Sequence, residues 1–297
     1  MNLRQALILG QKNLRTHVCA GSDPAREAEL FLSRAAGLTR EAILASPEFG
    51  LNGKQERLFR TMLDRRRKHE PVAYIVGTAM CRGLEFEVDR HTLVPRPATE
   101  SIIDAALAAC SLHPDAAVID VGTGSGCVAI ALAKEMPKAR VLAVDTSAAA
   151  LKIARRNASL NRVAARLAFK KGDLLLPLRK LAFGRKKAII IAANLPYLPT
   201  AAIAGLEPDI RSFEPVTALD GGRDGLDLCR RLIDQAALFW PGRDIHVAME
   251  LLPEQYGPIG DHARKKIPGI RTEKIMNLAG VCVGAAMRSA CTITTAA

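Results

Sequence analysis

Residues 1–70 repeat apolar side chains at intervals of three and four. Leu3, Leu7, Leu14 and Val18 share one helical face, and Leu58, Phe59, Met62 and Leu63 mark another. Ser22-Asp23-Pro24 offers an N-cap and a first-turn proline, while Gly37, Pro47 and the stretch from Gly50 to Gly53 interrupt the pattern. Roughly four or five short helices result, none long enough to stand alone, so they should pack as a small bundle. Within residues 72–95, VAYIVG and LEFEV flank a polar stretch with Gly83 and read as a β-hairpin linker. After Pro97 the rhythm changes to strands alternating with helices. AAVIDV, RVLAVD, a strand near 166–171, AIIIAA and IHVAMEL are separated by helical stretches at 98–111, through Lys134, at 147–161 and at 225–239. Strands apolar on both faces require a sheet covered on both sides, which predicts an α/β protein with a mostly parallel sheet. The boundaries fall at 1–73, 74–97 and 98–297.

Composition changes this picture in one respect. The chain has 297 residues, 49% of them hydrophobic, an ordinary soluble composition that excludes wholesale disorder. Forty-two Lys and Arg against thirty Asp and Glu leave a net charge of +12, which favours a polyanionic neighbour such as RNA or the ribosome. Nine of these cations lie in residues 162–187 with only Asp173 as an acid. That stretch reads either as a phosphate contact or as a solvated face. Arg65 to Lys68 likewise suits either the negative end of a helix dipole or an RNA. Seven cysteines at irregular spacing, without CxxC, point to reduced thiols and a cytoplasmic location. No apolar run approaches the ~18 residues of a membrane span. Arg4, Lys12 and Arg15 without an acid imitate a transit peptide, yet the segment reads as the first helix.

The informative turn is Asp120-Val121-Gly122-Thr123-Gly124-Ser125-Gly126, between a strand and a helix, where α/β sheets bind nucleotide-like ligands. Cys127 stands where a dinucleotide fold has its third glycine, and no Lys-Ser/Thr follows, so dinucleotide and P-loop readings drop out. Asp145 ends the next strand, placed to accept the hydroxyls of a ribose. Together these features resemble the S-adenosylmethionine site of Rossmann-like class I methyltransferases. Asp173 and Leu174 then fall where such folds contact adenine. The strand AIIIAA runs into Asn194-Leu195-Pro196-Tyr197, a relative of the Asn-Pro-Pro-Tyr of methyltransferases acting on planar nitrogen. Such a nitrogen has a delocalised lone pair. The Asn194 side-chain oxygen and the Leu195 carbonyl can each accept one N–H and aim that lone pair at a methyl group. Tyr197 offers a flat face, and Pro196 stiffens the loop. Asn194, Pro196 and Tyr197 are the candidate catalytic residues, and Asn194 also counts among the cofactor-binding ones. No metal site is expected: Asp220 and Asp224 imitate a calcium loop, but Arg231 stands where its glutamate belongs. Glu250, closing IHVAMEL, reads as a strand terminus or as a residue that orients the site, and the pattern favours the terminus.

EPVAYIVG, LVPRPATE, DVGTGSGCVAIALA, ANLPY and EPVTALDGGRDGLDLCRRLI together resemble the bacterial HemK/PrmC family, which methylates the glutamine of the Gly-Gly-Gln motif in peptide chain release factors. The segment Arg96-Pro97-Ala98-Thr99-Glu100 is the most specific of these. The resemblance implies S-adenosylmethionine as cofactor, a helical N-terminal domain that docks the release factor, a hairpin linker, a seven-stranded catalytic domain and a monomer. The chain departs from the family pattern in three places. Leu195 replaces a proline, Arg185-Lys186-Lys187 precede AIIIAA where an Asp is usual, and NLAGVCVG lacks an arginine. Other readings stand beside this one: an adenine amino-group methyltransferase on RNA or DNA, a glutamine methyltransferase on a ribosomal protein, or an RNA- or ribosome-associated binding protein with an impaired methyltransferase fold.

Overall fold

The computed structural model describes residues 1–15, 22–181, 183 and 188–289, and they form two compact units. Arg185, Lys186 and Lys187 of the basic stretch, and Val18 of the first apolar face, lie outside the described residues. Among the described residues no helix is long and apolar enough to cross a membrane.

The first unit comprises Met1–Thr78 and a returning segment, Gly205–Glu214. Its helices are α1 (Leu3–Arg15), α2 (Pro24–Ala36), α3 (Arg40–Ala45), α4 (Gly53–Arg67) and α5 (Val72–Val76). Asp23 caps α2 by accepting from the backbone N–H of Ala25 and Arg26, and Asn52 with Gln55 forms a capping box on α4. Leu3, Leu14, Phe31 and Phe59 are fully buried. A Cβ on Gly10 would lie 2.8 Å from that of Ala28, so α1 approaches α2 as closely as only glycine allows.

The basic cluster ending α4 is largely structural. Arg66 is buried and paired with Glu27 at 2.9 Å, with Asp209 of the returning segment at 3.9 Å. Arg65 grips Glu70 and the carbonyls of Tyr74 and Ile75. The expected first strand of the linker is instead α5. Pro71 starts it, Gly77 (φ 86°) ends it, and Tyr74, Ile75 and Val76 are buried. A five-residue apolar run has no periodicity that separates strand from helix.

The second unit is Ala79–Ala204 with Pro215–Ala297. The hairpin is β1 (Thr78–Cys81) with β2 (Leu84–Glu87), turning through Arg82 and Gly83, both at positive φ. Then follow α6 (Pro97–Leu112), β3 (Ala117–Val121), α7 (Cys127–Glu135), β4 (Val141–Asp145), α8 (Ala148–Leu160), β5 (Leu167–Lys171) and β6 (Ala188–Ala193). The helix of the returning segment, Pro208–Phe213, is α9. After it come α10 (Asp227–Phe239), β7 (Asp244–Glu250), α11 (Tyr256–Lys266), β8 (Arg271–Met276) and β9 (Cys282–Arg288).

The seven strands run in the order β5-β4-β3-β6-β7-β9-β8, parallel except for β9, which is antiparallel to both neighbours. Every residue of β3 and β6 is buried, β6 being wholly apolar and β3 apolar except for Asp120. The α/β class with a mostly parallel sheet is therefore the observed architecture. The chain leaves β3 for β4 on one side and returns to β6 on the other, so a crevice opens at the carboxyl ends of β3 and β6.

Candidate active site

The crevice is a cleft of about 340 Å³. It gathers Gly122, Thr123, Gly124 and Ser125 from the turn after β3, Asp145 from β4, Asp173 and Leu174 after β5, and Asn194, Leu195 and Pro196 after β6. Gly126 and Tyr197 stand just outside its lining. A larger cleft of about 700 Å³ along α6 and β7 to β9 holds none of these residues, so volume does not identify the site here.

Gly122, Gly124 and Gly126 all adopt positive φ, the backbone state that glycine reaches without strain. A Cβ on Gly122 would meet the Leu195 side chain at 3.0 Å. The leucine that replaces the usual proline is thus buried against the cofactor turn, and among the described residues no donor takes its carbonyl oxygen.

Two carboxylates flank the turn. Asp145 accepts from the N–H of Gly124 at 2.9 Å and of Ser147 at 2.8 Å, and burial raises its pKa despite those bonds. Asp120 lies deeper. Its Oδ2 accepts from Thr123 and Ala129, its Oδ1 has no partner among the described residues, and burial pushes its carboxyl up to about 7. Positive-φ glycines on the cleft wall, which let a ligand approach the backbone closely, with Asp145 beside them, fit a ligand carrying a ribose. Asp173 lines the cleft but is bound by Arg231, so its carboxylate is held from outside.

The acceptor loop is held by groups far away in sequence. Asn194 Nδ2 donates to Thr99 Oγ1 at 3.0 Å, and Thr99 donates to Glu250 Oε2 at 2.9 Å. Tyr197 donates to Glu250 Oε1 at 2.8 Å. Burial and the Glu250 charge raise the pKa of Tyr197, which keeps it a phenol. Glu250 is buried at the end of β7, so it is the strand terminus that the sequence pattern favoured, and it is also the hub of the loop, the other role that pattern left open. What that pattern lacks is any local sign of its partners.

A second brace comes from the DGGRDGL stretch. Gln255 donates to the carbonyls of Tyr197 and Asp224, and Gly221 N–H donates to the Leu198 carbonyl. A Cβ on Gly225 would sit 2.0 Å from the Tyr197 carbonyl oxygen, so its glycine is a packing requirement. Asp220 accepts from Thr200 and Gly222, and Asp224 from Arg230 and Leu226, which gives both acids a turn-closing role.

Residues 5–77 match the family model described as PrmC N-terminal domain, and residues 98–212 match that of ribosomal protein L11 methyltransferase (PrmA). The chain is 40% identical over 277 residues to the release factor glutamine methyltransferase of Moorella thermoacetica, covering 93% of this chain and 94% of that protein. It is 42% identical over 210 residues to the protein of that name from Geobacter sulfurreducens, covering 71% of each. Among solved structures, the hMettl16 catalytic domain in complex with MAT2A 3'UTR hairpin 1 shares the fold. The TM-score is 0.57 at 14% identity, over 98% of this chain and 92% of that one.

Proposed function

Because this chain belongs to the family of release factor glutamine methyltransferases, it is a methyltransferase, and we propose that it methylates the side-chain amide of the glutamine in the Gly-Gly-Gln motif of peptide chain release factors. The observation that carries the reading is the tethered Asn194, whose Nδ2 is engaged by Thr99 while its Oδ1 has no partner among the described residues and can take a substrate N–H. The family and fold imply S-adenosylmethionine. We assign its amino acid and ribose to the turn from Gly122 to Gly126 and to Asp145, and its adenine to Asp173 and Leu174. When bound, that cofactor supplies an electrophilic methyl group on a sulfonium.

The chain's own residues supply orientation. Asn194 Oδ1 and the Leu195 carbonyl accept the two N–H bonds of the acceptor amide, turn its lone pair out of conjugation and fix its direction. Tyr197 and Pro196 flank the planar group. Orientation of this kind can be worth ~7–11 kcal/mol. No side chain needs to take a proton during transfer, because the nitrogen becomes acidic once it carries positive charge. The helical N-terminal unit is assigned to release factor docking. The thiols of Cys81, Cys110, Cys127, Cys229 and Cys282 are free, which fits a reducing cytoplasm.

Intact-mass spectrometry tests the substrate. A release factor should gain the mass of one methylene when incubated with the protein and S-adenosylmethionine. Its Gln→Ala variant should gain none, and N194A should keep only a small residual activity while still binding cofactor. Because residues 98–212 also match an L11 methyltransferase model, ribosomal protein belongs in the same assay. Labelling there, and not on the release factor, would replace this substrate.

A further inference from the structure

An asparagine amide can face either way at almost no cost, since its oxygen and nitrogen are nearly the same size. Gripping an acceptor N–H demands the oxygen. The reversed side chain would present two donors to a donor, and the site would repel its substrate. Something must set the orientation.

We propose that Glu250 and Thr99 are positioning residues that fix which way the Asn194 amide faces, and so make the site select an amide over a carboxylate. This deepens the reading of the site as an amide methyltransferase and rests on it. An ionised carboxylate only accepts, so both hydroxyls that reach Glu250, from Thr99 at 2.9 Å and Tyr197 at 2.8 Å, must donate. Thr99 has one hydroxyl proton, now spent on Glu250. Toward Asn194 it can offer only lone pairs, and so it takes Nδ2 at 3.0 Å. The oxygen of Asn194 is then left for the substrate. Thr99 is 1% exposed and Glu250 2%, so bulk water does not compete for either bond.

The polarity of the whole chain depends on one charge. A glutamine at position 250 could donate to Thr99, free the threonine proton to point at Asn194, and so reverse the asparagine. The charged or titratable groups facing Glu250 are Tyr197 and Arg96, which lies at the start of α6. Burial raises the Glu250 pKa, while the Tyr197 and Thr99 hydroxyls and the Arg96 charge hold it down. A substrate glutamate, being acceptor-only, would find an acceptor opposite it and be rejected.

The test compares wild type, T99V, T99S, E250Q, N194A and T99V/N194A, with melting temperature and cofactor affinity measured for each. In protein labelled with nitrogen-15 asparagine, the Asn194 side-chain amide is assigned by its loss in N194A. Its hydrogen exchange should be slow in wild type and T99S and fast in T99V. Methylation of the release factor should fall roughly a hundredfold in kcat for T99V and E250Q, with cofactor affinity within about twofold of wild type. T99S should recover most of the loss, and T99V should cost nothing more once Asn194 is alanine. Wild-type kcat should fall at acid pH, where a protonated Glu250 could donate to Thr99, and E250Q should lose that part of the fall. Three results would overturn the proposal: wild-type kcat in T99V, an undiminished T99V effect in the N194A background, or equal Asn194 exchange in wild type and T99V. Slow exchange in wild type without methylation of the release factor would support the positioning role and refute the substrate.

Discussion

Asp120 has two donors on one carboxylate oxygen and none on the other. With its carboxyl pushed up to about 7 from an ordinary 3.8, the folded protein holds a proton between those values that the unfolded chain releases. More protons bound in the folded state means that stability falls as pH rises through that window, by up to ~1.4 kcal/mol per unit. Denaturant unfolding of the cofactor-free protein between pH 4 and 7 should show this slope, and D120N should flatten it. The glycines of this turn and Asn194 are legible in the sequence because each carries its reason locally, in a strand end, a turn and a motif. Thr99 and Glu250 are not, since they meet across 151 positions and neither stands in a pattern that names its partner. Leu195 reads as a lost proline, whereas its contact with Gly122 shows the side chain filling space against the neighbouring turn.

Elements read well where they are long or capped. The Asp23 cap and the apolar runs of β3 and β6, broken only by Asp120, follow from their residues, while the α5 segment does not, because Pro71 and Gly77 bracket too few residues for periodicity to speak. The DGGRDGL stretch is legible only as a family mark, and its physical task appears once Gly225 and Gln255 are seen against the acceptor loop. G225A should therefore move that loop. The expected outcome is a fall in kcat of at least tenfold and a stability loss of about 1–3 kcal/mol, with cofactor affinity retained. Steady-state kinetics and calorimetric cofactor titration would check it, and unchanged kcat would refute the brace.

Across the molecule, the positive charge has several separate physical uses. Arg66 is buried in an ion pair, and Arg166 donates to the carbonyls of Ala133 and Met136 where α7 ends. Lys170 and Lys171 sit exposed on β5, the edge strand of the sheet, where lysines discourage pairing with another chain. K170T/K171T should raise light scattering on storage while leaving methylation of the release factor unchanged. A loss of activity at equal solubility would instead argue for an anionic partner on that face.

The first unit is closed by Gly205–Glu214, which brings Asp209 to Arg66. During synthesis, then, Met1–Thr78 leaves the ribosome well before the segment that completes it. About 130 residues intervene, and at ~5–20 residues per second the nascent bundle waits on the order of ten seconds for its last piece. The apolar core of the bundle is drawn from residues 1–76, so it can pack before that segment arrives, and the Asp209 pairing is added to it late. The chain's first unit is begun first and ended only when most of the second has already emerged.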